Sequence, residues 1–335
     1  MNIAIIGGGS WGLAISKLLH DNGHTVCVWE YNKDFVKVIK ETKRNDSFLP
    51  QITIEAFVSN NIDEVITNDT DIVVLATPSA FLKKTLLLIN EPLANNDKIS
   101  AIINLAKGFN HETGDILSDM ITDYLPKKFA DKICALSGPS HAEEVAKQQP
   151  TTVTVAGKCD ETLKIVQVTF SNKYFRVYRT SDIIGVELGG AIKNVIALAA
   201  GVVKGLGYGD NTLGALLTRG NVEIKRLALV LGAKAETLDG LAGIGDLITT
   251  AISPHSRNRF VGYEIGSGKS LKEVLENMVM VAEGVPATYT VHKLAQKYNV
   301  EMPIVDGLYQ VLEYNASPKD LIMSLMSRNL TSEER

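Results

Sequence analysis

Short apolar runs alternate with amphipathic stretches through the first 180 residues of the chain. The runs that predict buried strands are residues 3–6, 25–29, 71–76, 99–105, 133–136, 151–155 and 174–178. The stretches between them with helical spacing of apolar side chains are residues 11–22, 35–43 and 81–89. An Ile-Thr-Ile run at 52–54 is a further candidate strand. Strands that alternate with helices favour an α/β fold with a doubly wound, Rossmann-type parallel sheet.

The strand signals almost vanish after residue 180, and the remaining sequence has helical periodicity. Residues 185–201 predict one buried helix that is apolar nearly all round, and residues 213–231 predict another. We therefore expect an α/β domain over residues 1–180 and an all-α domain over residues 181–335, joined without a flexible linker.

Lys193 and Asn194 lie in the middle of the long apolar helix. An ammonium in such a segment is costly unless it is paired or hydrogen-bonded. Gly189 and Gly190 lie four and three positions earlier and share its face, which leaves room for a ligand or another backbone. The alternative is a structural lysine that pairs with Glu187 or extends to the surface.

A G-x-G-x-x-G motif, formed by Gly7, Gly9 and Gly12, follows the first predicted strand and opens the first predicted helix. The glycines let a backbone turn approach a pyrophosphate at a helix N-terminus, where N–H groups are unpaired. The next strand ends in a carboxylate within about thirty residues, which is the context of a dinucleotide-binding turn. The alternative is a tight turn that binds no ligand.

Glu30 is that carboxylate, and its position suits a hydrogen bond to the ribose hydroxyls of the cofactor. A carboxylate there repels a 2′-phosphate, which favours NAD over NADP. The nearby Lys33 and Lys37 weaken this preference, and a solvated strand end is the alternative role for Glu30.

Ligands of a doubly wound sheet bind beyond the carboxyl ends of its strands. Thr77 and Lys107 follow two predicted strands at that edge, and residues 137–140 follow a third. Lys107 is a candidate for contacting cofactor or substrate, with an exposed loop lysine as the alternative. Ser140 and Glu143 have the spacing of a capping box, which predicts a capped helix N-terminus facing the crevice.

Two polar groups stand out in the second half of the chain. Asp246 and Thr250 lie one helical turn apart after a glycine-rich segment that follows no strand. Residues 256–259, Ser-Arg-Asn-Arg, concentrate donors at a predicted helix start, which suits a phosphate site. A surface cap with solvated arginines is the alternative. Glu283 precedes another helix, which it could cap, or it could bind a ribose hydroxyl.

Composition narrows the functional classes. The chain has 335 residues, of which 45% are hydrophobic, enough for two cores, and a net charge of −4 without long charged blocks. This balance argues against nucleic acid or a membrane surface as a partner. Three widely spaced cysteines argue against disulfides or a structural zinc site. With no signal-peptide pattern at the start, we expect a cytoplasmic protein.

Seven of these stretches together resemble bacterial NAD(P)-dependent glycerol-3-phosphate dehydrogenase, and the resemblance covers essentially the whole chain. They are residues 7–14 (GGGSWGLA), 106–108 (AKG), 137–140 (SGPS), 186–195 (VELGGAIKNV), 243–247 (GIGDL), 256–259 (SRNR) and 281–284 (VAEG). The motif around Lys193 and the Ser-Arg-Asn-Arg run are specific in combination, whereas the glycine motif alone is not.

The resemblance implies reversible NAD(P)H-dependent reduction of dihydroxyacetone phosphate to sn-glycerol 3-phosphate for phospholipid synthesis, with Lys193 as general acid/base. Around the reacting carbon it implies Lys107, Asn194, Asp246 and Thr250. The substrate contacts that it implies are Lys107, Gly138, Ser140, Lys193, Asp246, Ser256, Arg257 and Asn258. The cofactor contacts that it implies are Gly7, Gly9, Ser10, Trp11, Gly12, Glu30, Tyr31, Lys107, Ala142, Arg257, Val281 and Glu283. No metal is required, because the lysines can polarise the ketone.

Two alternatives compete with this interpretation. A β-hydroxyacid or ketopantoate reductase also uses a helix lysine, but the cluster at 256–259 favours a phosphorylated substrate. A non-catalytic NAD sensor has no need for a lysine in a glycine-faced apolar helix. Dehydrogenases commonly form dimers, which makes a homodimer a candidate assembly.

Overall fold

Eight strands form one sheet, and seven of them lie on the apolar runs of the sequence. The computed structural model describes residues 1–276, 278, 281–330 and 332–333. The strands are β1 (Asn2–Ile6), β2 (Thr25–Trp29), β3 (Phe57–Ser59), β4 (Ile72–Leu75), β5 (Ala101–Asn104), β6 (Ile133–Ser137), β7 (Thr151–Gly157) and β8 (Phe175–Thr180).

Helices separate most of the strands and make up nearly all regular structure after Thr180 in the described residues. In the first half they are α1 (Ser10–Asp21), α2 (Lys33–Thr42), α3 (Ser79–Ala94), α4 (Leu117–Tyr124), α5 (Ala142–Ala146) and α6 (Asp160–Phe170). The later helices are α7 (Ile183–Gly205), α8 (Asp210–Val230), α9 (Ala235–Leu238), α10 (Asp246–Ile252), α11 (Arg257–Gly266), α12 (Leu271–Glu276), α13 (Gly284–Lys297), α14 (Pro303–Tyr314) and α15 (Pro318–Met326). The expected fold class, a doubly wound sheet followed by helices, is confirmed.

The strand order is β3-β2-β1-β4-β5-β6-β7-β8, so the chain reverses its direction of travel across the sheet between β1 and β4. Such a reversal opens a crevice beyond the carboxyl ends of the two strands, where ligands bind in open α/β sheets. All neighbouring strands run parallel except β6 and β7. The expectation of a wholly parallel sheet is therefore wrong at this one pair, which a short connection through α5 joins.

Alternate residues of the central strands enter separate cores on the two faces of the sheet. Ile3 and Ile5 belong to the apolar cluster that contains the buried side chains of α1. Ala4 and Ile6 belong to the cluster that contains those of α3. The period of two along a strand requires this division when both faces are covered, which explains the continuous apolar run at the start of the chain.

Several local predictions differ from the structure. Residues 52–54 form no strand, and the edge strand pairs through Phe57–Ser59 instead, next to β2. Helices α4 and α6 were not predicted. Ser140 does not cap a helix: its hydroxyl donates to the Gly138 carbonyl at 2.9 Å, and α5 begins after His141.

Two compact units divide the chain. One comprises Met1–Gly190 and Gly232–Asp246, and the other comprises Ala191–Leu231 and Leu247–Arg335. The sheet lies within the first unit, and helix α7 contributes its first eight residues to that unit and the rest to the second. The domain boundary near residue 180 stays a prediction.

Close backbone packing of α7 against α11 organises the second unit. A Cβ atom at Gly262 would lie 1.9 Å from the Leu198 carbonyl oxygen, and one at Gly201 would lie 2.1 Å from the Arg259 carbonyl oxygen. Glycine is therefore required on both helices at this crossing. Helix α7 has the length and apolar composition of a membrane span, but 89% of its most apolar window is buried in the protein, as in a core helix.

A buried carboxylate of α8 caps helix α14 in the second unit. The Glu223 oxygens accept hydrogen bonds from the backbone N–H groups of Ile304 and Val305 at 2.8 and 3.2 Å. Burial raises the pKa of Glu223 from 4.5 to about 7, although these two N–H groups lower it. The charged form suits the helix N-terminus but is poorly solvated.

The raised pKa of Glu223 predicts a pH dependence of stability. Between pH 4.5 and about 7 the folded protein holds a proton that the unfolded chain has lost, so this group makes stability fall as the pH rises. We expect the Tm of Glu223→Gln to fall less than that of the wild type between about pH 5 and about pH 8. Glu187, whose pKa burial also raises, is present in both proteins, so only the difference between their thermal profiles counts. Parallel profiles would contradict the assignment.

Candidate active site

The glycine motif forms a tight turn between β1 and α1. Gly7 has φ of +121°, a conformation that side chains rarely adopt, and a Cβ at Gly12 would lie 1.9 Å from the Gly7 carbonyl oxygen. A Cβ at Gly9, in contrast, would meet nothing within 4 Å. The N-cap residue of α1 is Gly9, which has no side chain to cap the helix. The turn therefore presents open space in front of backbone donors, which is the geometry that an anionic phosphate group needs.

Glu30 follows β2 and holds the glycine turn. One carboxylate oxygen accepts the N–H of Gly8 at 3.0 Å, and the other accepts the N–H of Asn32 at 2.8 Å. Tyr31 beside it is 82% exposed, with its ring edge-on to Trp29. Glu30 thus has a structural role that the sequence did not suggest, and that role leaves a contact with a ribose hydroxyl as an untested prediction.

Ser10 and Trp11 begin α1 directly after the turn. The Ser10 hydroxyl donates to the Phe48 carbonyl at 2.5 Å, which ties the turn to the loop after α2. Trp11 is half-buried and packs against the apolar core beneath the sheet. Both residues therefore lie at the predicted cofactor turn, and Ser10 has a protein partner there.

Lys107 lies beyond β5 and joins two other predicted site residues. Its ammonium donates to the Gly138 carbonyl at 3.1 Å and to the Asp246 carboxylate at 2.6 Å. The side chain of Asp246 is 3% exposed and that of Lys107 is 20% exposed. Burial makes an unpaired carboxylate costly, and the ion pair with Lys107 offsets that cost for Asp246. The alternative of an exposed loop lysine is wrong.

A π-helical turn, Leu241–Gly245, precedes Asp246 and leads directly into α10. A Cβ at Gly243 would lie 2.0 Å from the Leu238 carbonyl oxygen, so this tight approach requires glycine. Ser137, at the end of β6, donates its hydroxyl to the Asp246 carboxylate at 3.5 Å. Single π turns often occur at functional sites, and the glycine-rich segment here delivers Asp246 to Lys107.

The segment between β6 and α5 carries the remaining predicted residues of the first unit. Gly138 has φ of +146°, and a Cβ there would lie 2.9 Å from the Val153 Cα. Its carbonyl accepts from both Lys107 and Ser140. Ala142, the first residue of α5, is buried. The backbone at this edge of the sheet therefore accepts a hydrogen bond from the Lys107 ammonium.

Lys193 is buried in the second unit and is 4% exposed. Its ammonium donates to the Thr250 hydroxyl at 2.5 Å, and Thr250 is itself 5% exposed. The alternative of a lysine that extends to the surface is therefore wrong. Within the first unit, the Glu187 carboxylate accepts hydrogen bonds from Asn104 and Ser118.

Asn194 lies beside Lys193 on α7 and is fixed by Asn258 of α11. The Asn258 amide donates to the Asn194 side-chain oxygen at 2.9 Å and accepts the Gly284 N–H at 2.8 Å. A Cβ at Gly284 would lie 2.5 Å from the Asn194 carbonyl oxygen. This network brings the start of α13 against α7 and α11, and it places Glu283 next to the Asn194–Asn258 pair.

The predicted phosphate cluster does form the start of a helix. Ser256 caps α11, and its hydroxyl oxygen accepts the N–H of Arg259 at 3.2 Å. Arg257 is exposed in the first turn of that helix, and Asn258 is buried behind it. Val281 and Glu283 precede α13, where Glu283 is the cap residue but its side chain makes no capping hydrogen bond. Side-chain capping by Glu283 is therefore wrong.

Sequence reasoning missed three polar residues, Asn104, Ser118 and Ser137. Each is buried and reaches a carboxylate that lies far away in the chain. Asn104 had a signal, since it is a polar residue that closes an apolar strand at the functional edge of the sheet. Within the described residues, no three His, Cys, Asp or Glu side chains are arranged to bind a metal.

Comparison with known proteins identifies the family. Residues 2–163 match the family model of the NAD-dependent glycerol-3-phosphate dehydrogenase N-terminus, and residues 182–323 match that of the C-terminus. A glycerol-3-phosphate dehydrogenase [NAD(P)+] of Syntrophotalea carbinolica is 43% identical over 335 residues, covering 99% of each chain. One of Halalkalibacterium halodurans is 44% identical over 329 residues, covering 98% of this chain and 94% of the relative.

A crystal structure of glycerol-3-phosphate dehydrogenase from Coxiella burnetii has the same fold along almost the whole chain. Its TM-score is 0.91 at 32% sequence identity, and the match covers 97% of this chain and 98% of that one. The two family models decide against the alternatives of another reductase family or a non-catalytic sensor. Taken with the glycine turn and the hydrogen-bonded lysines Lys107 and Lys193, these matches show that the chain belongs to the NAD(P)-dependent glycerol-3-phosphate dehydrogenase family.

Proposed function

We propose that this dehydrogenase works in the cytoplasm chiefly as a reductase, converting dihydroxyacetone phosphate to sn-glycerol 3-phosphate for glycerophospholipid synthesis. The reaction is reversible, and Lys193 is its general acid/base. The observation that carries this assignment is the buried ammonium of Lys193, held at 2.5 Å from the Thr250 hydroxyl inside an apolar helix. A homodimer is the assembly that we propose.

Reduction of a ketone builds negative charge on its oxygen while a hydride is added to the carbon. An ammonium close to that oxygen stabilises the charge and then supplies the proton. In its protonated form the Lys193 side chain can act as that donor. The hydrogen bond to the Thr250 hydroxyl fixes the direction of the Lys193 ammonium.

Lys107 and Asp246 take a second role at the sheet edge. The ion pair at 2.6 Å holds Lys107 in one position, and the Gly138 carbonyl supports it from a second direction. We assign Lys107 to contact the substrate and to add positive charge near the developing oxyanion. Asp246 keeps that lysine in place, and Asn194 is assigned to contact the substrate near its reacting carbon.

The start of α11 is assigned to the substrate phosphate. Arg257 is exposed in the first turn of a ten-residue helix, where its guanidinium adds to the positive end of the helix dipole. The side chains of Ser256 and Asn258 form hydrogen bonds within the protein. We therefore assign most of the phosphate contacts to backbone N–H groups and Arg257. Glu283, the residue before α13, is assigned to the cofactor because the family resemblance implies that contact.

The glycine turn fits a dinucleotide cofactor. Open space at Gly9, the uncapped N-terminus of α1 and the positive φ of Gly7 form a cradle that a side chain would fill. When bound, NAD(P)H supplies the hydride. We assign Glu30 to the ribose of the cofactor, and its negative charge supports a preference for NAD over NADP.

Two glycine substitutions separate folding from cofactor binding. We expect Gly12→Ala to lower the Tm and to lose NADH binding, because its Cβ would collide with the Gly7 carbonyl at 1.9 Å. Gly9→Ala has open space, so we expect it to keep the wild-type Tm while weakening NADH binding at least about tenfold, by obstructing the pyrophosphate. Thermal unfolding and NADH fluorescence titration measure the two effects. Full NADH affinity in Gly9→Ala would contradict the proposed cofactor position.

Loss of the Lys193 ammonium tests the proposed chemistry. We expect Lys193→Ala to retain NADH binding but to lower kcat by at least about a hundredfold, the low end of general acid–base contributions. Lys204→Ala is the matched control, because Lys204 lies on the same helix and pairs with Asp210 at 2.7 Å. Steady-state kinetics of both variants provide the comparison. Turnover of Lys193→Ala near that of Lys204→Ala would rule out the assigned role.

A further inference from the structure

Asn104 holds the backbone immediately before Lys107. Its side-chain oxygen accepts the Ala106 N–H at 3.0 Å, and its side-chain nitrogen donates to the Ala106 carbonyl at 3.2 Å. One side chain thus satisfies both backbone polar groups of the residue that precedes the lysine. The Asn104 side chain is 1% exposed, so a polar group there that lost its hydrogen bond would be costly.

Glu187 fixes the orientation of the Asn104 amide. Its Oε1 accepts the Asn104 side-chain N–H at 2.9 Å, and its Oε2 accepts both the N–H and the hydroxyl of Ser118 at 3.0 and 2.6 Å. Because a carboxylate faces the amide nitrogen, the amide oxygen must face Ala106. All three donors point at a carboxylate that is 6% exposed, and Ser118 belongs to the first turn of α4.

These contacts form a continuous network from Ser118 through Glu187 and Asn104 to Ala106, which we name the Asn104 network. Lys107 follows Ala106 directly, and its ammonium is held at the far end by Asp246 and the Gly138 carbonyl. A long, flexible lysine side chain is therefore fixed both at its backbone and at its tip. A displacement of about 1 Å in a catalytic group can cost about a hundredfold in rate.

We propose that Asn104 and Glu187 are positioning residues that act on the reaction through Lys107. Neither is assigned to contact substrate or cofactor. Asn104 sets the path of the chain at Ala106, and Glu187 keeps the Asn104 amide in the only orientation that does so. This inference rests on the substrate-contacting role proposed above for Lys107.

A second asparagine provides a matched control at the opposite end of the same strand. Asn96 precedes β5 and is 2% exposed. Like that of Asn104, its side-chain amide forms hydrogen bonds with backbone groups. Its amide donates to the Thr67 and Thr70 carbonyls at 2.8 and 3.1 Å and accepts the Lys98 N–H at 2.7 Å. Asn96→Ala removes comparable hydrogen bonds from the same unit, away from the carboxyl edge.

The experiment is a double-mutant cycle with Asn104→Ala, Lys107→Ala and the combined variant, run beside Asn96→Ala. We expect Asn104→Ala to lower kcat by about tenfold to about a hundredfold, with NADH binding unchanged. In the Lys107→Ala background, Asn104→Ala should cause no further loss, because the residue through which it acts is gone. We expect Asn96→Ala to lower the Tm about as much as Asn104→Ala does. Unlike Asn104→Ala, it should keep the wild-type kcat.

Two results separate failure of this inference from failure of the proposed function. If Lys107→Ala retains wild-type kcat, the role assigned to Lys107 fails and the positioning inference fails with it. If Lys107→Ala is impaired, the role of Lys107 stands. The positioning inference is then overturned if the losses of kcat of the two single variants multiply in the combined variant, or if Asn104→Ala keeps the wild-type kcat.

Glu187→Gln and Ser118→Ala test the same inference should Asn104→Ala not fold. Each changes the distal end of the Asn104 network and contacts Lys107 through no other described hydrogen bond. We expect a loss of kcat in both, larger for Glu187→Gln because its amide nitrogen opposes a donor, and no added loss in the Lys107→Ala background. Wild-type kcat in both variants would overturn the inference.

Discussion

An ammonium that is withdrawn from water is stable only where hydrogen bonds replace the water that it has lost, and this constraint applies to both lysines assigned to the reaction. Lys193 donates to the hydroxyl of Thr250, and Lys107 donates to the carboxylate of Asp246. Both acceptors belong to the short helix α10, whose first residue is Asp246 and whose fifth is Thr250. Two residues one helical turn apart thus each accept a hydrogen bond from one of the lysines.

Glycine makes these arrangements sterically possible. Gly243 lets the π turn close before α10, and Gly284 lets the start of α13 approach Asn194. On α7, Gly190 faces Ser137 and Lys107, where a Cβ would lie 2.8 Å from the Ser137 hydroxyl oxygen. These glycines therefore lie where the backbone comes close to another backbone segment, at Gly243 and Gly284, or to a side chain, at Gly190, and a larger residue would displace that neighbour.

Sequence patterns could predict the parts of this protein that depend on local periodicity. Apolar runs located seven of eight strands, and the glycine spacing located the turn before α1. The antiparallel direction of β7 was missed, because alternation of polar and apolar residues is the same in either direction. Asn104 and Glu187 lie 83 positions apart in the chain. Local residue spacing cannot predict a hydrogen bond over that separation, so their pairing was missed. The roles of individual site residues remain predictions.

The measurement that tests the account most directly is oxidation of NADH with dihydroxyacetone phosphate, run beside unphosphorylated dihydroxyacetone and repeated with NADPH. The account predicts rapid oxidation with the phosphorylated ketone alone, because α11 is assigned to bind its phosphate, and faster turnover with NADH than with NADPH because of Glu30. Equal rates with both ketones would contradict the phosphate assignment. Absence of oxidation with either cofactor, despite measurable NADH binding, would contradict the proposed reaction itself.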